Sequence, residues 1–515
     1  SNNLKMLEIK IDKSAGKPLF IQIRDSIKKL IDDGSLSPGD RLPTVNKLSQ
    51  QIGVTPSTIR RAFKDLVASG YTHSHVGRGT FVNDLSSSKQ SFPIDSKSNS
   101  RFIDSVNDDN TISAASRLRG GIKNSLNSIM SLANRPGVIQ FTGGHIDQSL
   151  IKKNTLKGLI NHALKKDESL FYMYDNNFGL SQLRESLAER FSATGSKIKP
   201  EQILITSGSQ QVMSLMAQVA LKEKLRVICE TPCYLGIFNS FDVLGKWVES
   251  APRDLDGPTP DRVAQFRDGK PTLFYLCPRL HNPMGTDLSL ERKQMLLSWA
   301  NEQQVTIISD EIFSDFYYES SAGPGFMQDI QNGNVYVTGS FSKTFLNGLR
   351  VGWVVSSEEN INSLAIYKQI QDLSCPPLVQ GIANSLLITG EYDLHLTKIR
   401  EHYKTIRDVI DEELENHMPD SIKWISPKGG FHYWVELPKG YSSVALFLIA
   451  VEKGVSFIPG PLKDIDHRFV NALDLNFGTV NKSNIPKGIK RLAAAIKELL
   501  SNPPSDHGLS GIGML

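Results

Sequence analysis

Cysteine is scarce in this chain, which has four in 515 residues. They form neither a CxxC pair nor a spacing typical of metal ligands, so the sequence argues against a disulfide framework and a zinc site. We expect reduced thiols in a cytoplasmic protein. No run of eighteen apolar residues occurs, so no membrane span is expected. The opening SNNLKMLEIKIDKSAG lacks the apolar core of a signal peptide.

Charge of one sign is concentrated near the N-terminus. Residues 17–82 hold ten Lys/Arg and five Asp/Glu, whereas the formal net charge of the whole chain is only +4. This excess predicts a polyanionic partner for the N-terminal segment. The overall composition is ordinary for a globular protein, with 39% hydrophobic and 22% charged residues. At this length we expect two or three domains.

The basic segment has the pattern of three short helices followed by a hairpin. FIQIRDSIKKLIDD carries apolar residues at helical spacing. Thr44 can cap the helix VNKLSQQI, which Gly53 ends. Thr55 suits the N-cap of PSTIRRAFKDLVAS, and Pro56 suits its first position, where a missing N–H costs nothing. YTHSHVGRGTFV then predicts a small hairpin. The arrangement predicts a helix-turn-helix whose second helix enters the major groove.

Residues 17–83 resemble the winged helix-turn-helix of the GntR family over PGDRLPTVNKLSQQIGVTPSTIRRAFKDLVASGY…GRGTFV. The resemblance implies an α+β DNA-binding domain and double-stranded operator DNA as its partner. Asn46 and Pro56 stand where the family usually has arginine, which favours weaker or less salt-dependent binding. A helical bundle without a DNA role is the alternative. The expected DNA-binding residues are Arg41, Thr44, Ser57, Thr58, Arg60, Arg61, Gly77 and Arg78.

Polar, serine-rich sequence separates this module from the rest. NDLSSSKQSFPIDSKSNSRFIDSVNDDNTISAAS cannot bury enough apolar surface to order itself. A flexible chain of ~50 residues has a typical reach of ~40 Å. Residues 114–135 have a second interpretation, in which they pack on the larger domain. The predicted parts are a DNA-binding domain 10–83, a flexible linker 84–135, a large domain 136–360, a small domain 361–500 and a disordered tail 501–515.

From about residue 137, helical and strand-like segments alternate, which predicts an α/β domain. Four β-rich runs end in residues of chemical interest: Tyr234, Asn282, Asp310 and Lys343. Since ligands of open α/β sheets collect at the carboxyl ends of strands, we expect these side chains to converge.

Pyridoxal phosphate (PLP) is the ligand that requires such a set. Its aldehyde forms a Schiff base, the aldimine, with a lysine, here Lys343. Its pyridine nitrogen needs a carboxylate, here Asp310, and its ring stacks on an aromatic side chain. Its phosphate needs a helix start and a cation. The residues expected at the phosphate are Ser209 and Gln210 at a helix start, together with Ser340, Ser342 and Arg350.

The segment from about 137 to 500 resembles fold type I PLP enzymes, the aspartate aminotransferase group, with the order TSGSQQ, ExPxY, HNPMGT, SDEIF and SFSK…R. The resemblance implies a large domain with a mainly parallel sheet and a smaller C-terminal α/β domain. It implies that Tyr234 stacks on the cofactor ring, that Asn282 contacts its phenolic oxygen and that Asp310 contacts its pyridinium. Tyr174 would reach the phosphate held by a partner subunit. For any one of these residues alone, a purely structural role is the simpler interpretation.

The whole arrangement resembles the MocR subfamily of GntR-type bacterial transcription regulators. That resemblance implies a homodimer, often head-to-tail, in which the aminotransferase-like domain senses an amino compound or the B6 vitamer and repositions the DNA readers.

Two positions depart from the aminotransferase pattern. Phe313 replaces a tyrosine that usually bonds the cofactor's phenolic oxygen, so the deprotonated Schiff base is expected to lose a stabilising donor. Asp474, in ALDLNFG, stands where an arginine usually binds the substrate carboxylate. A carboxylate there repels a carboxylate ligand, more strongly in a dry site than in a wet one, and Arg468 could replace the arginine only in a different pose. We therefore expect no efficient turnover, and an effector without a carboxylate or the cofactor itself as the signal.

Three functions remain open from the sequence. The first is a PLP-dependent DNA-binding regulator that uses its aminotransferase-like domain for sensing. The second is a working aminotransferase that carries a DNA-binding module. The third is a DNA-binding dimer whose C-terminal domain serves only as a scaffold.

Overall fold

The computed structural model divides into two compact units, residues 1–110 and residues 111–515. No helix among the described residues is long and apolar enough to cross a membrane. The residues that the structure describes are 9, 11–12, 18–68, 71–75, 79–83, 124, 126–172, 174, 176–319 and 322–503.

Three helices and a hairpin build the N-terminal unit. The strands pair antiparallel, with Thr72 opposite Val82. Ile23, Ile27 and Leu48 are fully buried in its core. The elements are the helices Leu19–Asp32, Val45–Ile52 and Pro56–Ala68, followed by β1 Thr72–His75 and β2 Gly79–Val82.

The predicted caps of the second and third helices are confirmed. Thr44 accepts a hydrogen bond from the Lys47 N–H at 3.3 Å, and Gly53 ends that helix in the left-handed region at φ +65°. The Thr58 N–H donates to Thr55 Oγ1 at 3.4 Å, while Pro56 is the first helical residue. These caps place the start of the third helix directly after a tight turn, as a helix-turn-helix requires.

The second unit contains fifteen strands among its described residues: β3 Ile139–Gln140, β4 Thr142–Gly143, β5 Ile203–Thr206, β6 Arg226–Thr231, β7 Val248–Asp254, β8 Gly257–Pro258, β9 Thr272–Leu276, β10 Val305–Asp310, β11 Val335–Ser340, β12 Gly352–Val355, β13 Lys423–Ile425, β14 His432–Glu436, β15 Val455–Ser456, β16 Ile458–Pro459 and β17 Ala472–Phe477. Its α-helices are Lys153–Lys166, Ser181–Ser192, Ser209–Lys222, Gly236–Asp242, Pro260–Ala264, Leu290–Gln303, Glu358–Asp372, Pro377–Ile388, Glu391–His417, Ser443–Glu452 and Ile485–Leu500.

Eight strands form the main sheet, in the order β5-β12-β11-β10-β9-β6-β7-β8. Strands β11, β10, β9, β6 and β7 run parallel to one another, whereas β12 is antiparallel to both β11 and β5, and β8 is antiparallel to β7. The predicted mainly parallel sheet is therefore confirmed. The strands are apolar on both faces because helices cover the sheet; Ile307, Val337 and Val355 are at most 1% exposed.

A second sheet, in the order β13-β14-β17-β16, lies in the C-terminal part of the chain. Strand β4 also pairs with β17 of this sheet, and β3 pairs with β15 in a separate two-stranded sheet, so two strands from before residue 360 pair with the C-terminal part of the chain. Strand β16 is short and pairs only with Leu473 and Asp474 of β17. Strand β4 pairs with the last two residues of β17, Asn476 and Phe477, and so satisfies backbone groups that β16 does not reach.

The end of the predicted linker is packed. Leu126 and Ala133 are buried, and Ala133 belongs to the main core of the second unit. Apolar side chains in this stretch, including Ile129 and Met130, pack against that core. The packed interpretation therefore holds for residues 126–135, while 84–123 lie outside the described residues. Of the predicted tail, residues 504–515 also lie outside them.

Candidate functional site

The register of three strands assembles one end of the site. Gly352 in β12 lies opposite Ser340 on one side and Thr206 on the other. The segments that follow β5 and β11 and precede β12 therefore meet at one edge of the sheet. That edge also holds the carboxyl ends of β6, β9 and β10, since these run parallel to β11. The predicted convergence of strand ends follows from this topology.

Lys343 lies three residues after β11, and its amine is buried. Its Nζ donates to the backbone oxygen of Gly144 at 2.6 Å. Burial, together with the ammonium of Lys463 nearby, lowers the pKa of Lys343 to about 8. An amine with this pKa is a better nucleophile near neutral pH than an ordinary lysine, because more of it is unprotonated.

Asp310 is the last residue of β10 and is 4% exposed. Tyr275, in the neighbouring strand β9, donates its hydroxyl to Asp310 Oδ2 at 2.7 Å. Burial raises the pKa of Asp310 to about 6, although the Tyr275 hydroxyl and the Lys343 charge favour its ionised form. A bound cation at this carboxylate would be strongly favoured, because it would pair with a charge held away from water.

An anion cradle lies between β5, β11 and β12. Arg350 Nη2 donates to the backbone oxygen of Ser207 at 2.9 Å, and Arg350 Nη1 donates to the hydroxyl Oγ of Ser342 at 3.3 Å. Ser340 Oγ donates to Ser342 Oγ at 2.8 Å. Gly208, at φ +79°, precedes the helix Ser209–Lys222, and a Cβ there would lie 2.5 Å from Arg350 Nη2. The helix start, the hydroxyls and the guanidinium together suit a phosphate.

Gln210 has its side chain directed elsewhere. Its Nε2 donates to the Gly236 oxygen and to Ser240 Oγ, both at 3.1 Å. Gln210 and Ser209 therefore offer the cradle their backbone N–H groups at the helix start, since the first N–H groups of a helix have no partner within it.

The two aromatic residues of the predicted site are accessible. Tyr234, just after β6, is 48% exposed, and its neighbour Cys233 donates its N–H to the Lys463 oxygen at 2.7 Å. Tyr174 is 78% exposed. Both tyrosines are therefore accessible to solvent, whereas Asn282 is buried.

Sequence reasoning missed a buried polar cluster beside Lys343. Lys463 Nζ lies 2.9 Å from Asp474 Oδ2 and donates to Asn282 Oδ1 at 3.4 Å. His432 Nδ1 lies 3.0 Å from the other oxygen of Asp474. Although burial alone would raise it, Lys463 and His432 hold the pKa of Asp474 below its ordinary value. Asp474 is thus a paired carboxylate, and the repulsion expected from an unpaired one does not apply.

Arg468 and Phe313 have structural partners. Arg468 Nε donates to Asp464 Oδ2 at 2.7 Å, so its guanidinium is engaged in a local ion pair. Phe313 is fully buried and packs edge-on against the rings of Phe431 and His432. Neither residue therefore takes the role of the arginine or tyrosine usual in aminotransferases.

Most predicted DNA-binding residues lie on the surface of the N-terminal unit. Ser57, at the start of the third helix, and Arg60, one turn later, are exposed. The Arg61 guanidinium lies 3.9 Å from the centre of the Phe20 ring, so this side chain is engaged within the domain. Thr44 caps a helix, and Arg41 packs over the Phe81 ring at 6.0 Å.

Two further predicted contacts, Gly77 and Arg78 in the wing, lie outside the described residues. Thr58 is partly buried, and its Oγ1 lies 2.9 Å from Thr55 Oγ1. Of the two arginines predicted to contact DNA from the third helix, Arg60 is exposed, whereas Arg61 packs over the Phe20 ring.

The arrangement in the second unit fits pyridoxal phosphate. The anion cradle suits its phosphate, buried Asp310 suits its ring nitrogen, and the lowered pKa of Lys343 suits bonding to its aldehyde. Gly208 supports the fit, since any side chain there would collide with Arg350.

Two family models match the chain. Residues 140–462 match "Aminotransferase class I and II", and residues 21–82 match "Bacterial regulatory proteins, gntR family". A relative, the 2-aminoadipate transaminase of Thermus thermophilus, is 30% identical over 381 residues, covering 73% of this chain and 94% of the relative. The HTH-type transcriptional regulator NorG of Staphylococcus aureus is 27% identical over 461 residues, covering 89% of this chain and 100% of NorG.

Solved structures agree with this assignment. The α-aminoadipate aminotransferase LysN from Thermus thermophilus, complexed with N-(5'-phosphopyridoxyl)-L-leucine, superposes with a TM-score of 0.65 at 29% identity, covering 71% of this chain and 94% of LysN. The chain therefore belongs to the aminotransferase class I and II family and carries a GntR-family helix-turn-helix domain at residues 21–82, an arrangement consistent with the MocR subfamily of bacterial transcription regulators.

Proposed function

We propose that this protein is a PLP-dependent transcription regulator whose aminotransferase domain senses an amino compound or the vitamer itself. The observation that carries the proposal is Lys343, a buried amine of lowered pKa beside Asp310 and the anion cradle. Bound PLP would supply an electrophilic aldehyde and an electron-withdrawing ring. Arg350, Ser340 and Ser342 would hold its phosphate, and Asp310 would keep a proton on its ring nitrogen.

Borohydride reduction and peptide mapping test the cofactor assignment. We expect the purified protein, incubated with PLP, to show a visible absorbance band that reduction removes. A pyridoxyl adduct should then map to the peptide that contains Lys343. An adduct on another lysine, or none, would contradict the proposal.

We propose that the N-terminal unit binds operator DNA through its third helix. Arg60→Ala should weaken binding by about 1–3 kcal/mol if Arg60 reads a base edge. Arg61→Ala should weaken it less, because Arg61 lies against Phe20. Both effects are measured by fluorescence anisotropy on duplexes that the wild-type protein selects from a random library. Equal binding by wild type and Arg60→Ala would refute this placement of the helix.

We further propose a homodimer in the cytoplasm, with the DNA readers of both chains repositioned when the effector binds. The exposed ring of Tyr174 supports a dimer, since it is free to reach the cofactor of a second chain. Light scattering tests the dimer. Tyr174→Phe removes only a hydroxyl group, so it should weaken PLP retention while light scattering still gives the mass of a dimer.

A working aminotransferase is the second candidate. The pairing of Asp474 with Lys463 favours it over the expectation from sequence, because an amino-acid carboxylate no longer meets an unpaired negative charge. Single-turnover spectra with amino acids and amines separate the two functions. Rapid conversion of the cofactor to its amine form would favour the enzyme, whereas a stable spectrum with a change in DNA affinity would favour the sensor.

A further inference from the structure

The cluster of Lys463, Asp474 and His432 presents an ammonium beside the predicted cofactor site. Asp474 is 0% exposed and uses both carboxylate oxygens, one toward Lys463 and one toward His432, so it cannot contact a ligand directly. Lys463 differs, because Asp474 and Asn282 account for two of its three N–H groups.

We propose that Lys463 binds the carboxylate of an amino-acid effector in this site. The inference rests on the proposed function and names the chemical class of its effector. Asn282 fixes the position, since its amide oxygen accepts from Lys463 and it lies in the segment that follows β9, the neighbour of β10, which carries Asp310. The proximity of the Lys463 charge to Lys343, which contributes to the lowered pKa of Lys343, supports the same placement.

Asp474 has an opposing role in this arrangement. Its negative charge, 2.9 Å from Lys463 Nζ, holds the ammonium in position but reduces its attraction for a second anion. A single lysine also binds a carboxylate through one N–H rather than the two parallel bonds of an arginine. The site is therefore suited to reversible, moderate binding of an amino acid, as sensing requires.

Two variants test the proposal, because they are expected to change the preference for a ligand with a carboxylate in opposite directions. The probes are L-alanine and ethylamine, which differ only in the carboxylate. Calorimetry on the full-length protein gives the ratio of their affinities. Lys463→Met should reduce the preference for alanine about tenfold, the value of one charge-assisted hydrogen bond. Asp474→Asn should increase the preference, because it frees the Lys463 charge. Lys453→Met, at a partly exposed ion pair with Glu498, is the matched control and should leave the ratio unchanged.

A double variant serves as the control for misfolding. Lys463→Met leaves Asp474 buried with His432 as its remaining partner in the cluster, so it can destabilise the chain. Lys463→Met/Asp474→Asn removes both charges and should show the same low ratio in a folded protein. An unchanged ratio in the double variant, a fall in Asp474→Asn, or a wild type without preference for alanine would each overturn the proposal. Absence of the visible band would instead refute the cofactor assignment. The ratio of alanine to ethylamine affinity can then still be measured by calorimetry on the cofactor-free protein.

Discussion

Lys343→Ala is expected to abolish covalent cofactor binding completely. The buried amine is the group placed to bond the aldehyde, and alanine offers no nucleophile. Absorbance spectra of PLP-treated variant and wild type measure the loss as the visible band. DNA affinity in the variant should then stop responding to amines and amino acids, since the effector can no longer exchange with the lysine. Anisotropy on the selected duplexes, with and without ligand, measures that response.

A surface lysine provides the control. Lys453→Ala removes an amine of similar chemistry from the partly exposed pair with Glu498, and should keep both the band and the response. Loss of the Lys343 amine leaves the Gly144 oxygen without its bond, which costs about 1–3 kcal/mol, so thermal midpoints of both variants are compared first. A folded Lys343→Ala protein that still responds to the effector would show that sensing does not need the covalent bond.

The main helices and strands, and the convergence of the residues that end the parallel strands, could be predicted from the sequence. Asp310 and Lys343 each follow an apolar run, and parallel strands necessarily end at one edge of the sheet. The two ends of the second helix, at Thr44 and Gly53, could also be predicted, because capping depends only on the adjacent backbone. The pairing of β4 with β17 could not be predicted, since more than 300 residues separate these strands and neither short segment has a distinctive pattern.

The partners of Asp474 were hidden from sequence for a related reason. His432 and Asp474 lie on the adjacent strands β14 and β17, and Lys463 follows β16. A single ionisable residue within each of the apolar runs FHYWV and ALDLNF was the available signal, since buried polar and charged groups require partners. The position of Asp474 in the sequence gave no indication of Lys463, so the sequence could not show that this carboxylate is paired.

Arg253→Met should destabilise the fold by about 3–5 kcal/mol at pH 8. Arg253 and Glu230 form an ion pair whose side chains are 0% and 1% exposed. Without the guanidinium, Glu230 retains the Cys277 N–H at 2.9 Å and the neighbouring His281, and its charge stays in a dry interior. Thermal or urea unfolding of the full chain measures the loss. Asp268→Asn, which breaks the partly exposed pair with Arg226, is the control and should leave the free energy of unfolding nearly unchanged.

The dependence on pH distinguishes a buried charge from a packing defect. Burial already raises the folded-state pKa of Glu230 above its ordinary value, and loss of Arg253 raises it further. A raised folded-state pKa gives stability that is present at acid pH and lost as the pH rises, so the variant's deficit should be smaller at pH 5 than at pH 8. Glu230→Gln/Arg253→Met should recover much of the stability and lose this dependence, because no charge remains to bury. An equal deficit at both pH values would mean that the guanidinium stabilises the fold through its contacts with Thr286 and the backbone rather than by compensating Glu230.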